Sequence, residues 1–326
     1  MKRVYDDIYL LDIPLRGNPL KSLNCFIVKT DGRNLIVDTG FNTRENQGII
    51  LNSLEKLEID LEETALFLTH SHSDHTGLAS FLENRGVKVY MSKFEGELLN
   101  DCLLGDSPQW KQIVDRAMLQ GLGKDNLTLE EHPGYKYRPV DILNYIAIEP
   151  GEYLNIGHYN FEVVDLVGHT PGIIGLYDKD HRIFFCGDHI LGQITPNITF
   201  WGFEEGDILG KYLGSLDKVY NMDIDYLFSS HRDIVQNHKI RIDEIKSHHE
   251  KRLEEIMSII KKIGPSSVRT IAQNMSWDIR SKNWDEFPSS QKWFAAGEAH
   301  AHLERLRAMG QVGYEIVDDV IYYFVL

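Results

Sequence analysis

The chain has 326 residues, of which 42% are apolar and 25% charged, the balance of a soluble globular protein long enough for two domains. Its formal net charge of −15 argues against a broad nucleic-acid surface, which would need Lys/Arg patches, and its apolar runs are strand-sized, too short to span a bilayer. The three cysteines, Cys25, Cys102 and Cys186, form neither a disulfide framework nor a CxxC motif, and the start lacks a secretory apolar region, so a cytoplasmic location is expected.

In chain order, 10–14, 24–29 and 34–38 read as strands, the last two separated by the turn Asp31-Gly32. Helical spacing at 44–57 is followed by a buried strand at 65–69, a helix at 76–85 and a strand at 87–91. Residues 94–150 interrupt this rhythm: Phe94, Trp110, Tyr135, Tyr137 and Tyr145 are scattered among pieces broken by Pro133-Gly134 and Pro150-Gly151. Such a segment is either a lid or substrate wall, or a peripheral excursion. Strands resume at 161–167, 183–187 and 225–229, with a helix at 208–221.

A long charged helix is predicted over 239–263, with His248-His249 on its solvated face, ending at Gly264-Pro265. A short amphipathic helix at 267–275 precedes a longer one at 294–309, whose buried face would carry Phe294, Ala295, Ala299, His302, Leu303 and Leu306. Two strands flanking Asp318-Asp319 then read as a hairpin. The pattern predicts a catalytic domain over 1–245 and a linker helix with a small winged-helix-like domain over 246–326.

The chemistry concentrates in His70-Ser-His-Ser-Asp-His75, four candidate ligands in six residues on a strand-to-helix loop. On an extended backbone His70 and His72 point the same way, and Asp74 and His75 follow the turn toward a neighbouring point. Three later positions repeat the strand-then-ligand pattern: His169 in Gly-His-Thr-Pro-Gly, Asp188 in Cys-Gly-Asp-His and His231 in Ser-Ser-His-Arg. Such residues at the carboxyl ends of buried strands are where an open α/β sheet builds its pocket. His70, His72 and His169 can supply one metal, Asp74, His75 and His231 a second, and Asp188 can bridge them. Nitrogen and carboxylate ligands without cysteine suit zinc, so two Zn2+ ions are expected, with iron or manganese the alternatives. Two such ions can share a hydroxide that attacks a carbonyl or phosphorus. Asp74 would orient that hydroxide, and Asp38 in Val-Asp-Thr-Gly would hold a ligand histidine in place. Cys186, two residues before Asp188, reads as a small buried residue with an option of a role beside the site. His132, His158, His181 and His238 lack the strand-end context of a ligand, and His189, the neighbour of Asp188, is expected to point away from the metal.

These motifs, over roughly residues 5–240 and in order, resemble the metallo-β-lactamase superfamily. The resemblance implies an α/β fold, an αββα sandwich with a dinuclear site at one edge. Asp188 is similar to the bridging aspartate of the glyoxalase II-like and lactonase-like branches, where class B β-lactamases carry cysteine, so antibiotic hydrolysis is disfavoured. The tail looks like that of the lactamase-B2-like hydrolases, which include thioesterases and endoribonucleases, and Thr195-Pro-Asn-Ile-Thr fits that look, with Asn197 either facing substrate or forming a turn. Glyoxalase II proteins usually continue Gly-His-Thr-Pro-Gly with another histidine. Ile173 stands here, which puts glutathione thioesters in doubt.

The expected function is therefore metal-dependent hydrolysis of a thioester, ester or lactone carried by a small molecule or acyl carrier. A phosphodiesterase or endoribonuclease is the alternative, and a non-catalytic metal-binding interaction protein a minor one. Residues 246–326 hold 11 Lys/Arg and 11 Asp/Glu, too neutral for a nucleic-acid reader, so the tail reads as a pocket-lining or homodimerisation element.

Overall fold

The computed structural model describes residues 1–103, 107–137 and 141–326. Short β-branched and aromatic runs build two facing sheets. The first has seven strands in chain order: β1 (Lys2–Tyr5), β2 (Ile8–Pro14), β3 (Ser22–Val28), β4 (Asn34–Val37), β5 (Thr64–Phe67), β6 (Lys88–Met91) and β7 (Ile146–Ala147). Pairing is antiparallel as far as β4 and parallel beyond it. The second sheet comprises β8 (Tyr153–Ile156), β9 (Tyr159–Asp165), β10 (Ile174–Asp178), β11 (Ile183–Gly187) and β12 (Tyr226–Ser229), ordered β12-β11-β10-β9-β8. Only its β11–β12 pair is parallel.

Between the sheets lies an aromatic core. Phe26 of β3 meets Phe185 and Phe228 of the opposite sheet at ring-centroid distances of 5.4 and 5.0 Å, and Phe185 lies 5.2 Å from Phe228. Helices close the two outer faces. Over the first sheet sit α1 (Arg44–Lys56), α2 (Ser73–Thr76), α3 (Ala79–Glu83) and α4 (Lys93–Asp101), burying Ile50, Leu54, Leu82 and Leu99. Three more helices follow: α5 (Pro108–Leu119), α6 (Pro133–Lys136) and α7 (Ile208–Tyr220). The last of these and α8 (His238–Ile263) cover the second sheet through Leu209, Tyr212, Leu216, Ile242 and Ile245. The layers are thus helix, sheet, sheet, helix. Among the described residues no helix is long and apolar enough to cross a membrane.

The remaining chain forms β13 (Ser266–Ser267), α9 (Val268–Asn274), α10 (Ser289–Ala308), β14 (Val312–Val317) and β15 (Val320–Val325), with the strands ordered β13-β15-β14. Asp318 and Asp319 both take left-handed backbone (φ 48° and 62°), as a two-residue hairpin turn requires. Part of the 94–150 segment belongs to this core: Ala117 and Leu122 pack with Ile256, Ile271 and Leu303, and Asp125 pairs with Arg269 and Lys292.

Three expectations are corrected here. The helix predicted at 76–85 is two short pieces, so Asp74 and His75 sit inside a helical turn rather than after it. His249 is buried, not solvated, and shares a 3.0 Å hydrogen bond with His302, because it lies on the stripe of α8 that faces α7 and α10. Phe294 is exposed, while Trp293 and nearly every residue from Ala295 to Leu306 is buried. A helix enclosed on most sides carries no one-sided stripe to be read.

The C-terminal unit is seated on the sandwich by close backbone approach. Phe200 N–H donates to the carbonyl of Gly297 at 3.1 Å, and a Cβ at Gly297 would lie 2.0 Å from Thr199 Oγ1. His300 stacks on Phe200 at 3.7 Å, and Arg305 pairs with Asp207 at 2.8 Å.

Replacing Phe185 with Ala should cost about 3–5 kcal/mol, read as a lower denaturation midpoint with cooperativity retained. A pH dependence follows from His189, His249, His300 and His302, all held below their usual 6.5 by burial, three of them to about 3. These groups stay neutral in the folded state but gain protons on unfolding. The stability they contribute is complete above about pH 6.5 and is lost as pH falls toward 3. Denaturant titrations of metal-saturated protein at about pH 7.5 and about pH 5 should show the lower stability in acid.

Candidate metal centre

Every predicted site residue lies just beyond the carboxyl end of a strand. Asp38 follows β4, His70 to His75 follow β5, His169 follows β9, Asp188 follows β11 and His231 follows β12. The two sheets bring these ends to one edge of the sandwich. His70 Nε2 and His169 Nε2 each lie 3.0 Å from His72 Nδ1, so three imidazole nitrogens converge. Nearby, His231 Nε2 is 3.4 Å from Asp74 Oδ2 and 3.5 Å from Asp188 Oδ1. Asp188 Oδ2 reaches both sides, 3.6 Å from His75 Nε2 and 3.7 Å from His169 Nε2. Ligand-capable atoms fall into three overlapping sets: His70, His72 and His169; His70, His75 and Asp188; and Asp74, His75 and His231. All seven residues are thereby brought together.

The donor atoms are held from behind. His75 Nδ1 donates to Asp38 Oδ2 at 2.7 Å, His169 Nδ1 to the Asn197 carbonyl at 2.8 Å, and His231 Nδ1 to the Ser22 carbonyl at 2.8 Å. Each tie fixes a tautomer and leaves the opposite nitrogen facing the site. Asp38 is fully buried with left-handed backbone (φ 58°), and it also accepts from Thr69 N–H at 2.9 Å, the Thr69 hydroxyl at 2.9 Å and the Ser230 hydroxyl at 3.1 Å.

Electrostatics separate the histidines. Burial, then the neighbouring imidazoles, pushes His70 well below its usual pKa and His72 down to about 3. Burial would also depress His75 and His231, but the carboxylates prevail: Asp38 and Asp188 raise His75, and Asp188 and Asp74 raise His231. Burial pushes Asp74 and Asp188 up, yet the facing imidazoles bring both below the usual carboxylate range. Three buried atoms here, His75 Nε2, His231 Nε2 and Asp188 Oδ1, have no hydrogen-bond partner among the described residues. Orphaned nitrogens and a carboxylate oxygen aimed into one space are costly unless a cation completes them. The donor set fits metal ions, and its lack of thiolate fits zinc, iron or manganese alike.

Asn197 contributes its carbonyl to His169, and its side-chain amide donates to Glu298 Oε2 of α10 at 2.9 Å. Cys186 is a packing residue: its thiol faces backbone carbonyls, and burial pushes its pKa up to about 12. His189 points into the core against Tyr212, away from the ligand set. The sequence reading missed Ser230, the Ser22 carbonyl and Glu95. The first lies beside His231, but the other two belong to segments without any ligand-like motif.

Comparisons with known proteins place the fold in a family. Residues 19–231 match the family described as the metallo-beta-lactamase superfamily. The chain is 29% identical over 167 residues to the hydroxyacylglutathione hydrolase GloC of Haemophilus influenzae, a match covering 51% of this chain and 65% of that protein. It is 22% identical over 174 residues to the human acyl-coenzyme A thioesterase MBLAC2, covering 51% of this chain and 57% of that protein. The chain thus spans less than two thirds of each of these relatives. A metallo-beta-lactamase family protein from Thermus thermophilus superposes with a TM-score of 0.81 at 25% identity, over 98% of this chain and 99% of that one, so the likeness includes the C-terminal unit.

Asp38→Asn keeps a residue that tolerates left-handed backbone, but it removes the charge and turns one acceptor oxygen into an NH2 that faces donors. It should lower zinc affinity about 10- to 100-fold, measured by competition with a chromophoric chelator.

Proposed function

The chain belongs to the metallo-β-lactamase superfamily, and from that premise we propose that it is a two-metal hydrolase acting on the carbonyl of an acyl thioester. The observation that carries this reading is the set of orphaned buried atoms on His75, His231 and Asp188, surrounded by four further donors. His70, His72 and His169 would hold one ion, Asp74, His75 and His231 the other, with Asp188 between them. Zinc is the proposed metal. When bound, the ions supply a water of lowered pKa and positive charge for the developing oxyanion.

The protein's own groups do the rest. Asp74, kept ionised by His75 and His231, would accept a hydrogen bond from the attacking water and orient it toward the carbonyl. Asp38 holds the His75 imidazole through its Nδ1–H, so that Nε2 stays available. Phe94 packs beside Gly172, and Phe294 gives its carbonyl to Asn197. Both residues are exposed, and the Phe94 ring beside Gly172 offers an apolar edge to the His169 loop where an acyl chain would lie. Thioesters are favoured over other carbonyl substrates because two relatives carry the names of thioester hydrolases. Ile173, where glyoxalase II proteins usually show histidine, favours an acyl group on a carrier other than glutathione.

The test is turnover of metal-replete protein on acyl-coenzyme A thioesters of increasing chain length, a glutathione thioester, a lactone and a bis-aryl phosphodiester. Acyl thioesters should be the best substrates, and a clear preference for the phosphodiester would overturn the assignment. Chelation should abolish turnover and added zinc restore it. Asp74→Asn should lower kcat by at least about 100-fold while circular dichroism stays unchanged.

A further inference from the structure

Glu95 sits in the first turn of α4, within the 94–150 segment, and its side chain is fully buried. Its two carboxylate oxygens go to two different loops. Oε2 accepts the backbone N–H of Ser71 at 2.8 Å, between His70 and His72. Oε1 accepts the backbone N–H of Gly172 at 2.9 Å, three residues after His169. Neither amide has a backbone acceptor among the described residues. Ser92, which caps the same helix, donates its hydroxyl to the Gly172 carbonyl at 2.8 Å. A buried carboxylate is tolerated where charge-assisted bonds satisfy it, and such bonds are short and directional. The loops it joins carry the three imidazoles whose nitrogens lie 3.0 Å apart across His72. One of these loops ends a strand of the first sheet and the other a strand of the second.

We propose that Glu95 is a positioning residue for the metal held by His70, His72 and His169, acting as a staple that sets the spacing between the two ligand loops. This rests on the two-metal reading above. The second ion's residues, Asp74, His75 and His231, receive no hydrogen bond from Glu95, so its effect is selective. Gly172 is suited to this contact, because a Cβ there would lie 2.8 Å from Phe94 Cδ1 and 3.0 Å from Glu95 Oε1.

The experiment is zinc titration of the full chain against a competing chelator, with wild type, Glu95→Gln, Glu95→Asp and Leu303→Ala compared. Gln keeps the volume but presents an amide NH2 to one of the two N–H donors, and Asp is too short to reach both. Both Glu95 variants should bind one zinc with an affinity within about threefold of wild type and the other about 10- to 100-fold more weakly. Leu303→Ala, which destabilises the distant C-terminal core, should bind both as wild type does. Hydrogen exchange at Ser71 and Gly172, read on metal-free protein, should quicken in the Glu95 variants alone. If both ions bind unchanged, or weaken alike in the Glu95 and Leu303 variants, the staple is wrong while the metal centre stands. If wild type takes up fewer than two zinc ions, or His70→Ala leaves uptake unchanged, the metal centre itself falls and the staple with it.

Discussion

The buried carboxylate of Asp38 is the constraint on which the site depends. A charge taken entirely out of water is tolerable only when its lone pairs are filled, and four donors fill them here: the Thr69 amide, the Thr69 and Ser230 hydroxyls and the His75 imidazole. Those donors come from the loops after β5 and β12, one from each sheet. Satisfying one anion therefore fixes the relative position of two sheet edges, and with them the bases that face the cleft. The left-handed backbone at Asp38 is part of the same solution, since it turns the side chain back under the loop as β4 ends.

The same logic extends outward. His169 leans on the Asn197 carbonyl, Asn197 on Glu298, and Glu298 on Arg252. His231 leans on Ser22 at the start of β3. His75, His169 and His231 each lean on a group from another segment, so much of the precision of the site comes from contacts far apart in sequence. This is why such centres are built on rigid strand ends rather than on free loops.

Much of this was legible in the sequence, and the reasons differ by element. The 70–75 motif declared itself because the ligand types are rare and crowded. Asp188 and His231 were found because each follows a continuous apolar run, which survives as a fully or largely buried strand. β10 went unseen because it starts two residues after Pro171-Gly172 and contains Gly175, whose bare backbone lets the Phe185 carbonyl come close. Glu95 was hidden for another reason. Ser92 and Glu95 look like an ordinary helix start, and only the fold shows that the carboxylate leaves its own helix to bind two other loops. His249 was misjudged because its neighbours in sequence are charged, whereas the partners that bury it are 37 and 53 positions away, at Tyr212 and His302.

The seat of Gly297 on Thr199 couples the terminal unit to the cleft. Since α10 reaches the segment that steadies His169, a change in the terminal unit bears directly on the cleft. A recombinant carrying a foreign tail would arrive with the wrong surface against residues 197–200 and disturb the cleft at once.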